Sequence, residues 1–164
     1  MVIRKRVILI LSILLISTVA MLSSCNRNSC YAERGINNLL RQIESGNLSN
    51  ITLRIYTPVL AWHPLTVEEF TNRPDDDLII IEGVQLEEYI NSFRGLKHIE
   101  LIPVEEASYI NARWYFVFED RHGRSILDVA MWGENDSVFI NGIEFERNDI
   151  FLEIIVPFLP WYLW

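Results

Sequence analysis

"ARWYFVFEDRHGRSILDVAMWGENDSVFINGIEF", residues 112–145, is the stretch that decides the fold. It holds four strand signals in succession. Ala112 to Glu119 is a strongly aromatic strand, with Trp114, Phe116 and Phe118 on one side and Tyr115 on the other, since successive side chains of a strand point to opposite faces. The turn "DRHGR" leads into Ser125 to Trp132, where Ala130 and Trp132 share a face, and "GENDS" leads into Val138 to Ile140. Asn141-Gly142 then separates Val138-Phe139-Ile140 from Ile143-Glu144-Phe145. A two-residue Asn-Gly turn takes positive φ at both positions, which matches the twist of the flanking strands and makes a tight hairpin. Consecutive strands joined by short turns pair antiparallel.

Upstream, Ile51 to Tyr56 alternates, with Ile51, Leu53 and Ile55 opposite Thr52, Arg54 and Tyr56, and reads as a half-buried strand. Leu78 to Glu82 is a short apolar strand, and His98 to Val104 a further one whose Pro103 marks an edge or an end. Three stripes at i, i+3, i+4, i+7 predict helices. Ile36, Leu39, Leu40 and Ile43 form the first, stopped by Gly46-Asn47; Leu86, Tyr89, Ile90 and Phe93 the second, ended by Gly95. Phe151, Ile154, Ile155 and Phe158 form the third, started by Asn148 or Asp149 and stopped near Pro157 and Pro160. Thr66 with Glu69 three residues later fits a capping box. The expected fold class is α+β: an antiparallel meander of five to seven strands with three helices packed on one face.

The N-terminus gives an address. Arg4, Lys5 and Arg6 precede an apolar run, Val7 to Met21, too short for a stable membrane span of about 20 residues and organised like an export signal. Its end, Leu22-Ser23-Ser24-Cys25, resembles the lipobox of bacterial lipoproteins. The resemblance implies diacylglyceryl transfer to the Cys25 sulfur, cleavage before it, and further acylation such as palmitate. The expected organisation is signal peptide 1–24, tether 25–33 and a single α+β domain 34–164. Under this reading Cys30 is a lone thiol on the tether. The rivals are an uncleaved signal anchor and a Cys25–Cys30 disulfide in an ordinary secreted protein. The stretch "YINARWYFVFED…VAMWGENDSVFINGIEFERNDIFLEIIVPFLP" resembles small Gram-positive lipoproteins, a likeness that brings no activity with it.

Charge narrows the partners. Residues 1–24 hold three of the 14 Lys and Arg and no acid, which leaves 11 basic against 22 acidic residues in the remainder. That balance disfavours phosphate backbones and so nucleic acid. It also repels anionic headgroups, so the lipid and not the protein surface is expected to hold the membrane. Aromatic residues make up 12% of the chain, which suits a packed domain rather than a disordered coat.

Signatures of chemistry are sparse. His63, His98 and His122 form no H-x-H or H-E-x-x-H pair; the latter two read as surface residues. His63 in "AWHPL", beside Trp62, lies in an irregular loop, where binding residues concentrate. No G-x-S-x-G turn is present. Asp75-Asp76-Asp77 and Glu134-Asn135-Asp136 lack the spacing of a calcium loop, and Glu119 and Asp120 end a strand without an evident partner acid. The terminal Trp161-Tyr162-Leu163-Trp164 either packs on the sheet or forms a sticky interface. The expected function is a lipid-anchored extracytoplasmic binding or accessory protein of the cell envelope, without cofactor or metal. Its partners would be an envelope protein or a small ligand, bound through His63, Trp62, Trp161 and Trp164. The alternative is an envelope hydrolase using loop histidine and carboxylates.

Overall fold

The computed structural model describes residues 27–57, 65–72, 78–104, 112–131 and 137–160. A six-stranded antiparallel sheet carries the domain, its strands being β1 (Ile51–Tyr56), β2 (Leu78–Glu82), β3 (Trp114–Asp120), β4 (Ser125–Met131), β5 (Val138–Ile140) and β6 (Ile143–Phe145). The spatial order is β2-β1-β3-β4-β5-β6. Strands β3 to β6 form the expected meander. Strand β1 sits between β2 and β3, so the chain leaving β2 crosses over β1 before it enters β3. The long segment from Gly83 to Arg113 permits this, because its helices lie on the sheet and bridge the gap.

The helices are α1 (Arg27–Glu44), α2 (Val67–Thr71), α3 (Gly83–Leu86), α4 (Ile90–Arg94) and α5 (Ile150–Ile155). The stretch read as one helix from Leu86 to Phe93 is α3 and α4 joined by the 3-10 turn Glu87–Tyr89, and a further 3-10 turn, Gly95–His98, follows α4. Alternation in the strands sends Ile51, Leu53, Ile55, Phe116, Phe118, Leu127, Val129, Val138, Ile140 and Phe145 to one face. Against that face pack Ala32, Ile36, Leu39, Leu40 and Ile43 of α1, Leu86, Phe93 and Leu96, and Phe151, Ile154 and Ile155 of α5. Phe93 meets Phe118 edge to face at 5.7 Å between ring centroids, a favoured aromatic geometry.

Local devices fix the ends of these elements. Gly46 takes φ of 71° after α1, the left-handed conformation that closes helices. Thr66 and Glu69 form the capping box of α2: the Thr66 N–H donates to Glu69 Oε2 at 2.8 Å, and the Glu69 N–H donates to Thr66 Oγ1 at 3.2 Å. Asn148, rather than Asp149, caps α5, its Oδ1 accepting from the Ile150 N–H at 3.2 Å. Asn141 and Gly142 have φ of 50° and 76°, as the two-residue turn requires.

One expectation needs correcting. Residues 98–104 are not a strand: His98 ends the 3-10 turn, and only Pro103 bridges, to Phe145 of β6. The Val104 N–H donates to the Glu144 carbonyl at 3.2 Å and the Glu146 N–H to the Ile102 carbonyl at 2.8 Å, so Pro103 sits between these bonds where its missing N–H faces away from β6, and the pairing stops at one bridge. α1 starts at Arg27, inside the stretch 25–33, and Cys30 lies within it and is disulfide-bonded. The three expected helical stripes pack on one face of the sheet, and the short capped α2 lies on the other, Val67 packing there with Leu65. Among the described residues, no helix is long and apolar enough to cross a membrane.

Candidate functional site

The side of the sheet away from α1 is where the polar chemistry gathers. Antiparallel register lines up Tyr56, Tyr115, Ala130, Phe139 and Glu144 in one row across β1, β3, β4, β5 and β6. The neighbouring row holds Ile80, Arg54, Val117 and Asp128. Two isolated-bridge hydrogen bonds between Leu65 and Ala112, at 3.1 and 2.8 Å, bring the segment leading into α2 onto this face. Leu65, Ala112, Tyr115, Val117, Ala130 and Phe139 form a second, smaller buried cluster there, with Tyr56 and Val67 packed against it.

Each polar group has a structural setting. The Tyr56 and Tyr115 rings lie 5.3 Å apart, tilted by 34°. Burial pushes the Tyr115 phenol well above its usual range, and the nearby charge of Asp128 adds to this. Asp128 stands in the apolar strand "SILDVAM". Burial raises its carboxyl above the ordinary aspartate value, opposed by a hydrogen bond from Ser125. Its backbone is pinned by Asn141, whose Oδ1 accepts from the Asp128 N–H at 3.0 Å while its own N–H donates to the Asp128 carbonyl at 2.9 Å. Arg54 Nε donates to Glu119 Oε2 at 2.7 Å. Glu144 is buried and accepts from Ser137 Oγ.

A desolvated carboxyl, Asp128, and two tyrosine rings, Tyr56 and Tyr115, border this buried apolar cluster. The two carboxylates considered for hydrolysis are committed elsewhere. Glu119 pairs with Arg54. Asp120 organises the β3–β4 hairpin: its Oδ1 accepts from the His122 and Arg124 N–H groups at 2.8 and 3.1 Å, and its Oδ2 from Arg124 Nε at 2.8 Å. His98 and His122 are exposed, and Arg121 Nε donates to His122 Nε2 at 3.1 Å. Among the described residues, no three His, Cys, Asp or Glu side chains come together as a metal site.

Of the residues singled out from sequence, Cys25, Trp62, His63, Trp161 and Trp164 lie outside the described residues, as do Asp75-Asp76-Asp77 and Glu134-Asn135-Asp136. Sequence reasoning passes over Arg54, Tyr56, Tyr115 and Asp128 as site residues. The signal available is Asp128, a lone carboxylate inside an otherwise apolar strand, which costs free energy unless something uses or satisfies it. Comparison with protein-family models, curated proteins and solved structures gives no match.

Proposed function

We propose that this chain is a lipid-anchored, extracytoplasmic binding protein of the cell envelope. In this reading it holds a small, largely apolar ligand with hydrogen-bonding groups on the sheet face opposite α1. The observation that carries the binding reading is Asp128 beside Tyr115 at the margin of the second buried apolar cluster. A carboxyl kept partly desolvated is both hydrogen-bond donor and acceptor near the pH at which it titrates, and the tyrosine pair supplies flat contact area. The anchor reading is supported by Leu22-Ser23-Ser24-Cys25 at the end of the apolar run.

A thioether at Cys25 and a disulfide between the chain's two cysteines exclude each other. Intact-mass measurement of the membrane-extracted protein separates them, since the anchor reading requires a mature chain starting at Cys25 with diacylglyceryl mass on that residue. Cys25→Ser should leave an unprocessed precursor. Recovery of a processed Cys25→Ser form in the membrane fraction refutes the anchor. For the ligand face, native mass spectrometry of the gently extracted protein should show a bound small molecule that Asp128→Ala releases. Wild-type protein that never carries one refutes the binding reading.

A further inference from the structure

α1 has two unlike sides. Ala32, Ile36, Leu39, Leu40 and Ile43 face the core. Positions 27, 31, 34, 38 and 41, occupied by Arg, Tyr, Arg, Asn and Arg, recur at alternating steps of four and three, which draws one stripe along a helix. At 100° per residue that stripe lies opposite the core stripe. Tyr31 is 55% exposed, and Arg34 and Arg41 are exposed. Arg41 Nη2 donates to Asn38 Oδ1 at 3.5 Å, along the stripe.

The charges on this side are unbalanced. Among the described residues the ion pairs are Arg54–Glu119, Lys97–Glu44, Arg124–Asp120 and Arg147–Asp149, so neither Arg34 nor Arg41 has a carboxylate at ion-pair distance. Glu44, one of the two acids on α1, is the one held by Lys97, and Glu33 sits about 100° round the helix from Arg34. An outward helix face with unpaired arginines and an exposed tyrosine is thus set on a chain that is otherwise strongly acidic.

We propose that this face of α1, through Tyr31, Arg34 and Arg41, lies against the anionic headgroups of the membrane in which Cys25 is anchored. The inference rests on the lipid-anchor reading. Arginine grips phosphate bidentately, and tyrosine favours the interface between apolar and wet surroundings. Only Asn26 separates Cys25 from the first residue of α1, and two extended residues span about 7 Å. The start of α1 is therefore tied close to the lipid surface. Repulsion between the acidic remainder and the same headgroups turns the rest of the domain outward. The lipid supplies affinity, and the arginine stripe sets which way the binding face looks.

The test uses the lipidated protein, extracted and reconstituted into vesicles of phosphatidylcholine alone or of phosphatidylcholine mixed equally with phosphatidylglycerol. Phenylglyoxal modification of each arginine is followed by peptide mass spectrometry, with exposed Arg121 as internal standard. Arg34 and Arg41 should react several-fold more slowly on the phosphatidylglycerol vesicles than on the neutral ones, while Arg121 reacts alike on both. Equal rates at Arg34 and Arg41 on the two vesicles, with diacylglyceryl mass present on Cys25, overturn this inference and leave the anchor standing. Absence of that mass on Cys25 overturns both.

Discussion

The α-carbon of Gly83 faces the carbonyl of Leu48 so closely that a Cβ built there would sit 1.6 Å from the oxygen. Gly83 opens α3, and Leu48 opens the 3-10 turn Leu48–Asn50 that feeds β1. The first step of the β2-to-β3 crossover is thus pressed against the entry to β1. Since the obstacle is backbone, no side-chain rotation relieves it. Gly83→Ala is expected to cost at least the roughly 1–3 kcal/mol of an overpacked core, read as a lowered midpoint of chemical denaturation.

Phe151 and Glu153 lie two residues apart on α5 with opposite exposure, Phe151 being fully buried and Glu153 exposed. Phe151→Ala should destabilise by about 3–5 kcal/mol, a large part of the roughly 5–15 kcal/mol available to a domain of this size. Glu153→Ala should fall within about 0.5 kcal/mol of wild type. Equal effects in a denaturation series would mean that α5 is not seated on the sheet.

Gly142 has φ of 76°, and a Cβ added to it would meet nothing within 4 Å. A substitution there meets conformational strain alone. Gly142→Val should therefore lose about 1–3 kcal/mol, with the circular dichroism of the folded state unchanged. An unaltered denaturation midpoint would show that the β5–β6 hairpin turns elsewhere.

Two aspartates pull the pH dependence in opposite senses. Hydrogen bonds from the Arg124 side chain, then from the Arg124 and His122 backbone, hold Asp120 down to about 2, against an ordinary value of 3.8. The unfolded chain then binds the proton more readily, so this contribution is present above pH 3.8 and is lost as pH falls toward 2. Asp128 is the reverse: burial raises its carboxyl, the folded chain holds the proton more tightly, and stability is lost as pH rises from 3.8 through the raised value. Asp120→Asn should weaken the protein at neutral pH and flatten its acid limb. Asp128→Asn should strengthen it at neutral pH, by about 1.4 kcal/mol for each tenfold by which the folded state weakens the acid. Urea titrations at about pH 3, 5 and 7 separate the two.

Legibility followed the range of the forces involved. β1, the β5–β6 hairpin and α5 were readable because period and turn chemistry are local: Ile51, Leu53 and Ile55 are all buried as alternation requires. The start of α1 was not. Residues 27–35 hold few large apolar groups, and buried Ala32 is too small to mark a stripe. Nor was the placement of β1 between β2 and β3 readable, since strand order is set by which edges meet after collapse. The candidate site was illegible for the same reason. Tyr56, Tyr115 and Asp128 come from three strands, and only register makes them neighbours.

β2 ends the sheet with β1 as its sole strand partner among the described residues, and its run Leu78-Ile79-Ile80-Ile81 leaves Ile80 48% exposed. Such a rim is a template for another strand. Two copies meeting antiparallel about Ile80 would bring Leu78 opposite Glu82 of the other copy, and each β2 is preceded by Asp75-Asp76-Asp77. Like charges would crowd such a seam from both sides, so carboxylate repulsion opposes this pairing. The molecule's colloidal behaviour is thereby tied to its carboxylates. Light scattering should show monomers at neutral pH and low salt, and growing assemblies once these acids are protonated below about pH 4, an effect that Ile80→Lys abolishes.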